Sequence, residues 1–376
     1  MLDKSWIEEI AALRRQFHTL AELSYQEFQT TKLIAETLEK WNLKLLPFTN
    51  LKTGGYCEVG TGPYITFRSD IDALPISENP DHFVKSHNLN VMHACGHDYH
   101  IAFGLAQLKY FSTNVLKNHT LRVLFQPAEE AYPTGAIKVC EEPIWRGIKY
   151  FITAHIQNDL PIGKVAVCQG IANASSTSIE ITLYGKGGHT SRPHEGNDLV
   201  RLCADYINIL YSFLAQNMDP IAQYILVFGS IEGGKAHNVI PENITLKGTL
   251  RTLQTNIKDK ILNLCKTFSQ QFADLYGIQI NLNCPTYCPP VVNDSTLVKL
   301  LQKLFTHKDD LIILANPSFG ADDFAFYLTK APGIYLKIGG GGTGIAHSSD
   351  FEVNESALEP AIANLIEYIK FLDENG

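Results

Sequence analysis

No basic block interrupts this 376-residue chain, whose 31 lysines and arginines are outnumbered by 39 acidic residues for a formal charge of −8. A nucleic-acid or anionic-membrane surface is therefore not expected, and the partner should be a small molecule. Long apolar runs are missing too: nothing approaches the roughly 18 residues of a membrane span. The first ten residues mix acidic and apolar side chains and lack the basic head, apolar stretch and cleavage site of an export signal, so a cytoplasmic protein is expected. The 8 cysteines are too scattered for a disulfide framework and suit reduced, mostly buried thiols. Cys284 and Cys288 have no second Cys or His pair nearby, which argues against a zinc knuckle. No internal repeat or low-complexity stretch is visible.

What is present is a globular composition, 45% apolar and 19% charged, in a chain long enough for two folding units. Apolar residues at helical spacing (Trp6, Ile7, Ile10, Leu13, Phe17) predict a helix over residues 4–17, and a second is predicted over 27–41. Strand-like runs follow at Tyr64 to Asp72, Leu121 to Phe125, Tyr150 to Ala154 and Ile334 to Ile338, with a helix between Cys95 and Phe111. Strands alternating with helices predict an α/β fold with a central, mostly parallel sheet. Asp70 and Asp72, Glu129 and Glu130, His155 and His347 all fall at or just beyond the carboxyl ends of these strands. That edge is where ligands bind in open α/β sheets.

Between residues 175 and 286 the rhythm changes. Thr177 to Tyr184 alternates like an antiparallel strand, a helix is predicted over 197–216, strands near 222–231 and 243–251, a helix near 255–276 and a strand near 278–283. This βαββαβ order is that of a ferredoxin-like α+β unit. The expected organisation is a discontinuous catalytic domain, residues 1–174 and 287–376, carrying an inserted domain at 175–286.

The chemistry concentrates in a few places. In His93-Ala94-Cys95-Gly96-His97 the glycine lets a tight loop turn a thiol and an imidazole toward one point. There a metal would hold the thiolate at about 2.3 Å and the imidazole nitrogen at about 2.0 Å. Glu129 and Glu130 are adjacent carboxylates that repel unless a cation or a shared proton lies between them. One could ligate while the other takes a proton from water whose pKa a zinc ion lowers to about 7, and the residues alone leave open which does which. With His155 and His347, Cys95, His97 and one glutamate make five donors. That is enough for two ions about 3.5–4 Å apart.

The chain resembles the metal-dependent amidohydrolases that include hippurate hydrolase, bacterial N-acyl-amino-acid deacylases and auxin-conjugate hydrolases. The similarity rests on Arg68-Ser69-Asp70-Ile71-Asp72-Ala73-Leu74-Pro75, His93 to His100, Phe125 to Glu130, Gly185 to His189, Gly233 to Pro241, Gly248 to Arg251 and Gly320 to Phe324. It implies a dinuclear-metal-peptidase-like fold with an inserted lid. It also implies Cys95, His97, Glu130, His155 and His347 as metal ligands, Glu129 as general base and Asp70 in a supporting role. In the lid it implies His189 as an oxyanion partner and Asn238 and Arg251 as holders of the substrate carboxylate. Ser348 follows His347 where many relatives carry a second histidine.

The activity implied is hydrolysis of an N-acyl amino acid, with N-acetyldiaminopimelate and hippurate as candidate substrates. The implied cofactors are two divalent ions per chain, Zn or Mn, with Co and Ni also compatible. Three rivals are a carboxypeptidase or dipeptidase with the same metal chemistry, a silent amino-acid-conjugate binder, and a cysteine hydrolase built on Cys95. Relatives pair through their lids, so a homodimer or homotetramer is expected.

Overall fold

The computed structural model describes residues 3–376, and internal contacts divide the chain into two units. One comprises the chain up to Ala172 with Val291–Asn316 and Asp323–Gly376; the other comprises Asn173–Pro290 with Pro317–Asp322. In chain order the first unit's strands are β1 (Gly55–Gly60), β2 (Tyr64–Asp70), β3 (Thr120–Gln126), β4 (Ile148–Gln157), β5 (Val165–Cys168), β6 (Leu311–Leu314) and β7 (Gly333–Gly339). They form one sheet in the order β1-β3-β2-β4-β7-β5-β6. The β3/β2, β2/β4, β4/β7 and β5/β6 pairs are parallel, while β1/β3 and β7/β5 are antiparallel.

The strands next to the centre are covered on both faces, as parallel strands usually are: every residue of β3 is buried, and so is all of β2 after Tyr64. Their helices are α1 (Lys4–Leu20), α2 (Phe28–Lys40), α3 (His97–Thr113), α4 (Ser295–Leu304) and α5 (Leu358–Asn375). Helix α3 is buried continuously from His97 to Leu108 and packs on β2 and β3, with α1 and α5 against it. A Cβ at Gly104 would stand 2.5 Å from Ser69 Oγ and 2.8 Å from Val123 Cγ1, so glycine is what allows the helix to lie so close to the strands.

The predicted β2 is shorter than the run suggested: it ends at Asp70, and Asp72 lies in the following loop. Strands β1, β5 and β6 and helices α4 and α5 were not anticipated. Strands β5 and β6 span only four residues each, too few for alternation to register. Helix α5 does carry a buried stripe, Leu358, Ala361, Ile362, Leu365, Ile369 and Leu372, at the three- and four-residue spacing of an amphipathic helix.

The longer strands of the second unit, Ser175–Tyr184, Tyr224–Gly233, Asn243–Thr252 and Gln279–Asn283, pair antiparallel in the order fourth, first, third, second. With helices Leu199–Asn217 and Thr255–Tyr276 this is the ferredoxin-like arrangement. Its core takes Ile179, Ile181 and Leu183 from alternate positions of the first strand and Tyr206, Leu210, Phe268 and Phe272 from the helices. Tyr287–Cys288 also pairs with the first strand, and the Ala174 N–H donates to Ser318 O, so both flanking segments fold with this unit. Among the described residues no helix is long and apolar enough to cross a membrane.

A buried charge cluster joins α1 to the first turn of α3. His18 Nδ1 lies 2.9 Å from Asp98 Oδ2 and its Nε2 lies 2.8 Å from Glu78 Oε1, while Arg14 Nη1 approaches Asp98 at 3.4 Å. Burial lowers the His18 pKa, but Asp98 and Glu78 outweigh it and raise the value to about 9. Because an unfolded histidine titrates near 6.5, this stabilisation is complete below about pH 6.5 and is lost as pH rises toward 9. Over that window the wild type should lose stability, on the order of 3 kcal/mol, relative to His18→Gln in urea unfolding. A difference between the two proteins that stays constant with pH would show that the ion pairs contribute nothing.

Candidate metal centre

Three backbone turns in left-handed conformations sit at or beside the donor side chains. Gly96 has φ +81°, and a Cβ there would lie 2.2 Å from Ile156 Cγ2, so only glycine fits between Cys95 and His97. Ala128 has φ +55° just before Glu129, and His347 itself has φ +66°. The His347 N–H donates to Ala94 O at 2.8 Å, which ties the late loop to the cysteine turn. His155 lies within β4, two residues before the strand ends at Gln157.

The donor atoms of Cys95, His97 and His155 lie within 4.8 Å of one another, as do those of Cys95, Glu130 and His347, and those of His97, Glu129 and Glu130. Cys95 therefore belongs to two donor triads. Its Sγ is 3.4 Å from His155 Nε2, and His347 Nε2 is 3.1 Å from Glu130 Oε1. Both imidazoles are oriented by their other nitrogen: His97 Nδ1 donates to Asp72 O at 2.9 Å and His155 Nδ1 donates to Ile156 O at 2.7 Å. The two Nε2 lone pairs are thus turned inward, in the way that outer hydrogen bonds fix a metal-binding tautomer. His97 Nε2 is buried and has no hydrogen bond, while the buried Glu130 Oε1 has the His347 imidazole beside it. A buried polar atom left as His97 Nε2 is asks for a partner. A thiol, three imidazoles and a carboxylate suit divalent transition ions.

Charge supports the same geometry. Burial would raise the Asp70 pKa, but Arg68, then His97 and His100, hold it well below the usual carboxylate range. Arg68 Nη1 is 2.7 Å from Asp70 Oδ2, and His100 Nδ1 donates to Asp70 Oδ1. His97 would be lowered by burial, yet Asp70, Asp72 and Cys95 push it well above an ordinary histidine; His155 is held well below one, chiefly by burial. Burial also raises the Cys95 thiol, so a cation arriving here displaces protons from Cys95 and His97. Asp72 Oδ2 accepts the Glu130 N–H at 3.0 Å and the Ser24 hydroxyl at 2.7 Å.

All five expected ligands, with Glu129 and Asp70, lie in the first unit. His189, Asn238 and Arg251 lie in the second. His189 is exposed on a two-residue strand paired with Val239–Ile240, which brings Asn238 beside it: the Thr190 N–H donates to Asn238 O at 3.2 Å. Arg251 is half-buried on the third strand, opposite Ser176 and Ile225. Sequence reasoning gave no role to His100, Arg68 or Glu27. His100 sits one helical turn after His97, a spacing that could have marked it.

The profile of Peptidase family M20/M25/M40 matches residues 66–370. The chain belongs to this family. It is a hydrolase of amide C–N bonds. Over 375 residues it is 34% identical to the N-acetyl-L-cysteine deacetylase of Bacillus subtilis (strain 168), covering 98% of this chain and 89% of that protein. It is 32% identical over 381 residues to thermostable carboxypeptidase 1 of Saccharolobus solfataricus, covering 98% and 96%. The crystal structure of a dinuclear metal-binding peptidase of the same family from Bacillus subtilis superposes with a TM-score of 0.86 at 30% identity, covering 100% of both chains.

Divalent ions should stabilise the chelator-stripped protein, by about 2.7 kcal/mol at a hundredfold excess over Kd. Thermal melts with Zn, Mn, Co or Ni check this, and His97→Ala should lose the shift. Unchanged melting with all four ions would mean that the donors do not form a site.

Proposed function

We propose that this protein is a metal-dependent amidohydrolase that removes the acyl group from an N-acyl amino acid, with Cys95, His97, Glu130, His155 and His347 holding two divalent ions. The observation that carries the reading is the sharing of Cys95 by two donor triads, with Glu129 in a third group alongside. A donor common to both triads suits a two-ion site, and a dinuclear metal-binding peptidase among the similar structures supports it. Bound ions would supply Lewis acidity, polarising the acyl carbonyl and acidifying the attacking water.

Glu129 is the general base in this reading. It is half-buried, next to Glu130, with its carboxylate within 4.8 Å of the Glu130 and His97 donors. From there it takes a proton from the attacking water and returns it to the departing amine, so one carboxylate serves both half-reactions. Asp70 is a positioning residue, acting on His97 and through His100. His189 as oxyanion partner, and Asn238 and Arg251 as holders of the substrate carboxylate, are supported by the family resemblance. A planar guanidinium suits that carboxylate because it can bind both oxygens.

The acyl group favoured is acetyl, because a deacetylase is among the similar proteins. A second reading, cleavage of a C-terminal peptide bond, is favoured by the carboxypeptidase relative. Metal-reconstituted enzyme assayed on N-acetyl-cysteine, N-acetyldiaminopimelate, hippurate and an unblocked dipeptide separates the two. The expected order places the N-acetyl amino acids first, and faster turnover of the dipeptide would overturn it. Glu129→Gln should retain its metal and lose at least a hundredfold in kcat, the scale of general-base catalysis. Wild-type turnover by Glu129→Gln would end this mechanism, whereas survival of activity after chelation with loss on thiol alkylation would favour the cysteine hydrolase.

The eight free thiols support a reducing, cytoplasmic setting. A homodimer or homotetramer built through the second unit is part of the same reading. Its edge strand, Tyr224–Gly233, carries Ile225, Val227 and Ile231 exposed, and an exposed apolar edge invites pairing. Light scattering should give a multiple of the 41.9 kDa chain mass, reduced toward one chain by Val227→Lys. A monomeric wild type would remove this element.

A further inference from the structure

Glu27 has no contact with solvent, and its side chain makes no capping bond to α2, although it occupies the residue just before that helix. The carboxylate is directed elsewhere. Its Oε1 accepts the Ala128 N–H at 2.8 Å and the Tyr25 N–H at 2.9 Å, and its Oε2 accepts the Thr53 hydroxyl at 2.8 Å. Ala128 is the left-handed residue immediately before Glu129 and Glu130, and an L-residue with a Cβ does not hold that conformation without support.

Two neighbours of Glu27 act on the same loop. The Ser24 hydroxyl donates to Asp72, which in turn accepts the Glu130 N–H, and the Tyr25 hydroxyl donates to Pro133 O. The segment between α1 and α2 thus holds residues 128–133 directly at two points and through Asp72 at a third. A buried carboxyl is costly unless its bonds repay it, and here burial, then the charge of Asp72, push the Glu27 pKa up to about 7. What the two backbone N–H groups meet at Oε1 is an acceptor of the right reach.

We infer that Glu27 is a positioning residue: by holding the Ala128 amide it fixes the left-handed turn that aims Glu129 and Glu130 into the metal centre. The inference rests on the reading of Glu129 as base and Glu130 as ligand, and it extends the centre to a segment about a hundred residues upstream in the chain.

Two substitutions separate reach from charge. Glu27→Gln keeps the reach and can still accept the Ala128 N–H while its amide donates to Thr53; Glu27→Asp keeps the charge and falls short. The expected result is Glu27→Gln within about threefold of wild-type kcat, and Glu27→Asp lower by about 10–100-fold with KM little changed, the usual scale for residues that orient a metal site's ligands. Hydrogen–deuterium exchange of residues 124–132 should quicken in Glu27→Asp and not in Glu27→Gln. Native exchange in Glu27→Asp, or a Glu27→Gln protein as impaired as Glu27→Asp, overturns the inference. If Glu27→Asp does not fold, a tenfold loss in folded Glu27→Gln overturns it. Should Glu129→Gln prove fully active, the proposed mechanism fails, while the exchange comparison still decides whether Glu27 holds the loop.

Discussion

The centre depends on a carboxylate that water does not reach. Asp70 ends β2 fully buried, where an isolated negative charge would be costly, and it is kept ionised by the Arg68 guanidinium on one oxygen and His100 on the other. Arg68 is held in turn: its Nη2 lies 2.6 Å from Asp323 Oδ1 and its Nε donates to Gln126 Oε1 at 3.0 Å. Gln126 donates back to Asp323 at 2.7 Å and accepts the Tyr327 hydroxyl at 2.7 Å. With every member hydrogen-bonded, such a network is rigid. Its rigidity passes outward through His100, whose Nε2 accepts the Ile156 N–H at 3.0 Å while Nδ1 serves Asp70. One imidazole therefore ties the end of β2 to the end of β4, and His155 is the residue just before Ile156 on β4. Asp70 also faces His97 Nε2 at 3.6 Å, so a single buried charge governs two of the five donors.

Much of this could be read from the chain because the strongest local signals and the site lie in the same places. The β2 and β3 runs are apolar and end in polar residues, which marks both the strand and the edge where ligands gather. The second unit was equally readable. Ile179, Ile181 and Leu183 alternate on its first strand, and its helices carry apolar residues at three- and four-residue spacing, so period alone separates strand from helix. The candidate donors stood out by their chemistry: a thiol and an imidazole on either side of Gly96, a pair of adjacent carboxylates, and two histidines near strand ends or glycine runs.

What escaped the sequence is the set of residues that act on the donors instead of being donors. His100 lies inside a helix buried all along one stretch, and in that setting a histidine looks like core. Asp323 is separated from Arg68 by 255 positions, and no local pattern reports a pairing made by the sheet. Glu27 falls at a helix start, where an acidic residue already has an ordinary explanation in the helix dipole. Only the structure shows that its carboxylate faces away from the helix.

The same distinction bears on how the donors come together. Each contributing loop turns through a left-handed residue, and only at Gly96 is that residue glycine; Ala128 and His347 adopt it against their intrinsic preference. Neither turn forms by itself. Ala128 is held on one side by Glu27 and on the other by the Gly135 N–H, which donates to Ala128 O at 2.7 Å, while His347 is held by the carbonyl of Ala94. Those partners come from elsewhere in the chain, so the turns exist only once the sheet has assembled. An unfolded chain has no reason to bring Cys95, His97, Glu130, His155 and His347 within reach of one another. Affinity for ions at such a centre is therefore gained by folding, and any ion bound there adds its binding energy to the stability of the fold.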